Sequence, residues 1–151
     1  MGWAQDAFKV MLRDEIAPAL RQLGLRGSGQ TFSLPSKTHW ALVGFQKSDW
    51  SDSRQLRFTI NLTVVSHDAW EAARSRFPEI GDHPVANGDY ALPIRPMPGY
   101  WHIRIGRLLP GDRDRWWDLG TGTDVAQLAT EVMTVIREHV LPAMQARLTE
   151  A

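Results

Sequence analysis

Arg57 and Asn61 fall on one side of an alternating segment, and His102 and Arg104 on one side of another. If these segments pair in register with the one carrying Gln46, the five side chains gather on one sheet surface, with Lys47 and Arg107 at its margins. Guanidinium groups make paired hydrogen bonds to carboxylates and phosphates, so the chemistry on offer is the holding of an anion. Gln46 and Asn61 would orient it. The competing reading is an ordinary solvated or salt-bridged outer face, which any two-layer sheet must have. Trp50, and one of the adjacent pair Trp116 and Trp117, would rim this surface, because neighbouring strand residues point opposite ways. Exposed tryptophans anchor partners, although core packing is the commoner fate for most of the seven.

Catalytic chemistry has less behind it. His102 could exchange protons beside Asp114, with Arg104 for an anionic group, but no motif supports this set. Gly27-Ser28-Gly29 lacks the spacing of a nucleophile elbow. No metal site is indicated: the five histidines are scattered, with no pair four apart on a helix. Asp112, Asp114 and Asp118 lack the glycine and closing glutamate of a calcium loop and read as a charged turn after Pro110-Gly111. Gly120-Thr121-Gly122-Thr123 has no Walker lysine and opens no parallel βαβ unit, so it reads as the approach to a helix. No cofactor is implied.

The elements that must position these residues are legible from hydrophobic period. Phe8, Met11, Leu12, Ile16, Leu20 and Leu23 recur at spacings of three and four, which predicts a first helix over about 3–23 that ends at Gly24. Pro18 cannot donate to the Asp14 carbonyl, so a kink is expected there. Strands are predicted over 30–34, 39–47 and 54–66; in the last, Leu56, Phe58, Ile60, Leu62 and Val64 alternate with polar residues. A short helix capped by Ser66 or Asp68 reaches Arg76, with Trp70, Ala73 and Phe77 on its apolar side. A Pro- and Gly-containing stretch over 79–99 shows little period and is expected to act as a cover or a mobile segment. Strand returns over 100–109, and a last short one is expected at Trp116 and Trp117. Asp124 with Gln127 then launches the closing helix, whose stripe is Val125, Leu128, Val132, Val135, Ile136, Val140 and Met144 and which contains Pro142. Two amphipathic helices and a sheet with one apolar face bury one another. The expected fold is therefore α+β: four to five antiparallel strands with two long terminal helices on one face.

The 151 residues suit one domain, and the formal net charge of zero favours neither nucleic acid nor an anionic membrane. The chain has no cysteine, which removes disulfides, thiolate metal sites and cysteine nucleophiles together. No stretch approaches a transmembrane length and no signal-peptide core is present, so a cytoplasmic protein is expected.

Three segments jointly carry a resemblance: Phe45-Gln46-Lys47-Ser48 with Trp50; Arg57 to Leu62; and Arg104 to Gly111, followed by Asp114, Trp116 and Trp117. From about Ala7 to Leu148 the chain resembles the mostly bacterial family called domain of unknown function 4304. The resemblance implies a small α+β domain and no assigned activity, cofactor or catalytic residue. Its motif residues include Gln46, Arg57, Asn61, Arg104 and Arg107, the polar positions already reached by alternation. The function expected is thus a binding or regulatory module that holds a protein segment or a small anionic ligand. The alternatives are an enzyme built on His102 and Asp114, and nucleic-acid binding through arginines and stacked tryptophans.

Overall fold

A computed structural model describes residues 2–88 and 98–149. The first helix runs Trp3–Met11, Leu12–Ile16 and Ala17–Gln22, and the closing helix runs Val125–Val135, Ile136–Val140 and Leu141–Leu148. In both, the middle five residues form a π turn, and a proline follows two residues later. The expected kink at Pro18 is thus a change of hydrogen-bond register. Ala17 N–H donates to the Leu12 carbonyl, and Leu141 N–H to that of Ile136, both five residues back. A proline inside a helix lacks one donor and crowds the preceding turn; the wider π turn relieves that crowding while the helix continues. Leu12-Arg13-Asp14-Glu15-Ile16-Ala17-Pro18-Ala19 and Ile136-Arg137-Glu138-His139-Val140-Leu141-Pro142-Ala143 are two versions of one solution.

Among the described residues the sheet has six strands: β1 (Arg26–Ser28), β2 (Thr31–Ser33), β3 (His39–Lys47), β4 (Gln55–Ser66), β5 (Trp101–Arg104) and β6 (Trp117–Gly120). All pairings are antiparallel, in the order β1-β2-β3-β4-β5, with β6 also on β4. The α+β class and the sheet under two long helices are as expected. The strand count is higher because Arg26–Ser28, which lies outside the strands expected from the sequence, pairs with β2; its three residues are exposed.

The twelve-residue strand β4 organises the rest. One edge pairs with β3 over Phe58 to Ser66, while the other is shared, β6 taking Gln55 to Phe58 and β5 taking Asn61 to Val64. A strand edge accepts one partner per position, so β5 must leave the sheet before β6 can enter. That is why the strand expected over 100–109 stops at Arg104 and becomes a 3₁₀ turn, Ile105–Leu108. At the handover Thr59 Oγ1 donates to the Arg115 carbonyl at 2.6 Å.

Leu56, Phe58, Ile60, Leu62 and Val64 face the two helices and join Phe8, Met11, Ile16, Val132, Ile136 and Met144 in the main core. The opposite face is not polar throughout. The short helix, His67–Arg76, covers one end of it, and Trp70, Ala73 and Ile80 close over Val65 with Trp40 packed alongside. Trp40 and Val65 are register partners, so this end of the far face is apolar on both strands.

Candidate functional site

At the other end of the far face the polar residues do meet. Gln46, Asn61, His102, Arg104 and Arg107 line one pocket of about 380 Å³, together with Asn87 and Ile103. Register explains most of this, since Asn61 lies opposite Gly44 on β3 and opposite Arg104 on β5, and Thr63 opposite His102. The 3₁₀ turn explains Arg107: one turn of that helix brings a residue three positions on back over the same rim.

Asn61 is buried and sits at the floor. Its Nδ2 donates to Gln46 Oε1 at 2.6 Å and to Asn87 Oδ1 at 3.0 Å, while Asn87 Nδ2 donates to the Phe45 carbonyl at 3.3 Å. Asn87 enters because Gly44 has no side chain: a Cβ there would meet the Asn87 amide carbon at 2.8 Å and the Ala86 methyl at 2.9 Å. Sequence reasoning missed Asn87, which lies in the stretch without period. A signal was available, since a lone glycine inside a strand marks a close approach of other chain. The cover expected from residues 79–99 is thus present at Ala86 and Asn87; residues 89–97 of that stretch lie outside the described residues. His102 Nδ1 pairs with Thr63 Oγ1 at 2.7 Å, and its ring stacks on Tyr100 at 5.8 Å.

Beside the pocket lies a ladder of charge and indole. Arg104 pairs with Asp114 at 3.0 Å, and Trp116 Nε1 donates to the same carboxylate oxygen at 2.8 Å. The Trp116 ring lies between the guanidinium of Arg104, 5.1 Å from its centroid, and that of Arg57, at 5.9 Å. Arg57 in turn pairs with its cross-strand partner Asp118 at 3.0 Å. Arg107 pairs with Asp112 at 3.2 Å, and the two arginines with Asp112 and Asp114 border an adjoining cleft of about 400 Å³.

Burial alone would raise the Asp114 carboxyl. The Trp116 indole N–H, the charge and hydrogen bond of Arg104, and the Arg115 amide outweigh it and hold the group below the ordinary carboxylate range. A depressed folded-state value means that Asp114 stabilises the fold fully above the unfolded value of about 4, and that this is lost as pH falls through the folded value. Its side chain is 53% exposed, so the effect is screened and amounts to less than ~1 kcal/mol. In urea titrations, Asp114→Asn should be slightly less stable than wild type at pH 7, with the gap closing toward pH 2. A gap that persists at pH 2 would point to packing instead.

The remaining candidates fall elsewhere. Lys47 belongs to the opposite face, where its Nζ donates to Gln5 of the first helix at 3.3 Å; its neighbour Gln46 points the other way, as strand alternation requires. Trp50 is 91% exposed in the loop after β3 and is not among the residues lining the pocket. Of the adjacent tryptophans, Trp117 is buried in the main core and Trp116 is the outward one. Arg57 belongs to the ladder, not to the pocket lining. Among the described residues no cluster of three histidines, cysteines or carboxylates could hold a metal ion. None of the described helices is long and apolar enough to cross a membrane.

Fold and site together define an α+β domain whose antiparallel sheet is backed by two long helices and carries an amide- and arginine-lined pocket on its other face. The chain belongs to the family described as Domain of unknown function (DUF4304), whose model matches residues 16–146. That span takes in the second π turn, the whole sheet and every residue of the pocket, and it begins at Ile16, the last residue of the first π turn. No curated protein and no solved structure matches the chain.

Proposed function

We propose that this protein is a binding or regulatory module whose Arg104–Arg107 pocket holds the carboxylate or phosphate of a small ligand or of a protein segment. The observation that carries this reading is the convergence of His102, Arg104 and Arg107 with the Gln46–Asn61–Asn87 amides in one concavity, with no carboxylate among its described lining residues. Each guanidinium has five donors, and the pairs with Asp114 and Asp112 leave several for a second anion. The amide chain supplies fixed polar groups that discriminate among ligands. A cytoplasmic setting is part of this reading, since a chain without cysteine needs no oxidising compartment.

The enzymatic alternative has weaker support. Asp114 is already engaged by Arg104 and Trp116 and held in its charged form, and it is not among the residues lining the pocket with His102. For nucleic acid, Trp116 is the best placed aromatic, yet the two arginines beside it are paired with Asp114 and Asp118.

Titration calorimetry with inorganic phosphate and citrate tests the proposal, and Arg57→Ala serves as a control that changes charge outside the pocket. Charge-assisted hydrogen bonds contribute about 1.5–3 kcal/mol each, so Arg104→Ala with Arg107→Ala should weaken binding at least tenfold. Arg57→Ala should leave it near wild type. Equal binding by a double variant that still melts cooperatively, or no binding of either probe, would overturn the assignment. A pull-down with the same three proteins then separates a small ligand from a protein segment.

A further inference from the structure

The far face carries a second concavity, separate from the Arg104 pocket and untouched by the reading above. It is a cleft of about 620 Å³ floored by Leu42 and Trp40 of β3. The hairpin of β1 and β2 with the turn after it bounds one side, and His67 with the 83–86 segment bounds the other. Its size is that of a small-molecule site.

Three features specify an occupant. The first is aromatic: the half-buried Trp40 ring has the His67 imidazole 4.8 Å away at 60° and that of His83 5.7 Å away at 49°. Such a corner favours a flat ring over an alkyl chain of equal area. The second is charge. The lining includes Arg26, His39, His67 and His83, with no carboxylate among the described residues that form it. The third is what the histidines do not do. His67 and His83 flank the indole, and no set of three ligating groups among the described residues can hold a metal ion. Two histidines are committed locally, with His39 Nδ1 paired to Thr38 Oγ1 at 2.7 Å and His83 Nδ1 donating to the Pro84 carbonyl at 3.0 Å.

We infer that this cleft is a binding site for a small planar aromatic carboxylate, its ring against Trp40 and its anionic group toward Arg26. Arg26 and His83 are both exposed, so replacing either leaves the core intact.

The probes are 2-naphthoate, its neutral amide 2-naphthamide, and a saturated bicyclic carboxylate of the same size. Backbone-amide NMR follows the titrations. Naphthoate should bind, with shift changes centred on residues 26–36, 39–42 and 83–86. The amide and the saturated acid should each bind about tenfold more weakly, one lacking the charge and the other the flat ring. Arg26→Ala should weaken naphthoate about tenfold, whereas Arg104→Ala should not, which separates this site from the anion pocket. Ser33→Trp adds an indole beside Leu42, its register partner, and should block binding in a protein that still melts cooperatively. The inference is overturned if naphthoate fails to bind at millimolar concentration, or if the shift changes centre on Arg104. Equal affinity for the amide, or no effect of Arg26→Ala, would overturn it as well.

Discussion

Phe58→Ala is expected to cost about 3–5 kcal/mol, the range for deleting a fully buried aromatic ring. Phe58 is 0% exposed and lies where four elements meet. Its ring sits 5.1 Å from Phe8 of the first helix and 6.5 Å from Phe45 of β3. It also stacks on Trp117 of β6 at 5.6 Å and 23°. Neither helix nor strand can close the hole alone, because each is held by the others. Trp117 raises the stakes, since its indole Nε1 is already buried without a hydrogen-bond partner among the described residues. Without Phe58 that ring loses its stacking partner and gains nothing. Domains of this size are stable by about 5–15 kcal/mol, so the variant should be marginal. Phe58→Leu, which keeps most of the volume, should lose far less. Urea denaturation of both variants measures the difference. A loss below 1 kcal/mol for the alanine variant would mean that the four elements collapse freely onto the site, contrary to the packing described.

Gly106→Ala is the second large effect, for a different reason. The residue sits in the 3₁₀ turn between the two pocket arginines. A Cβ there would run into the Arg113 carbonyl oxygen, and would lie 2.8 Å from the Arg115 nitrogen and 2.9 Å from the Arg113 carbonyl carbon. All three are backbone atoms, so no rotamer change relieves the contact. Either the turn or the 113–115 segment must move. Overpacking of this kind costs about 1–3 kcal/mol, and the upper end is expected where the obstacle is main chain. Both displaced segments carry the site, the turn bearing Arg107 and the other Asp114 with its neighbour Trp116. The variant should therefore lose phosphate binding along with stability. Gly122→Ala is the control, since a Cβ there meets nothing within 4 Å. Parallel thermal melts and phosphate titrations of the two variants decide the matter. A Gly106→Ala protein as stable as wild type, with binding intact, would refute the close approach.

Much of this could be reasoned from residue order. The period of two in Leu56 to Val64 reveals β4 and its core face, because a one-residue slip would turn all five apolar side chains away from the helices. The period of three and four reveals the two long helices and their stripes. The same alternation places Asn61 with Thr63 and His102 with Arg104, so most of the pocket was legible before any contact was known. The same rule sends Lys47, expected at the margin of that surface, to the opposite face from Gln46, since neighbours on a strand face opposite ways.

Other features are not encoded at that range. The sharing of one β4 edge between β5 and β6 follows from competition for the same backbone donors and acceptors, a contest between segments far apart in sequence. It ends β5 at Arg104, creates the turn that returns Arg107, and leaves Gly106 against the 113–115 backbone. The packing of the short helix over Val65, and of Asn87 into the space above Gly44, likewise needs the sheet to exist first. Local sequence thus determined which residues face the core and which face out, because side-chain period is set by backbone geometry alone. Which outward residues meet was decided only by the tertiary structure, because a strand edge, a cavity or an ion pair belongs to whichever distant segment reaches it.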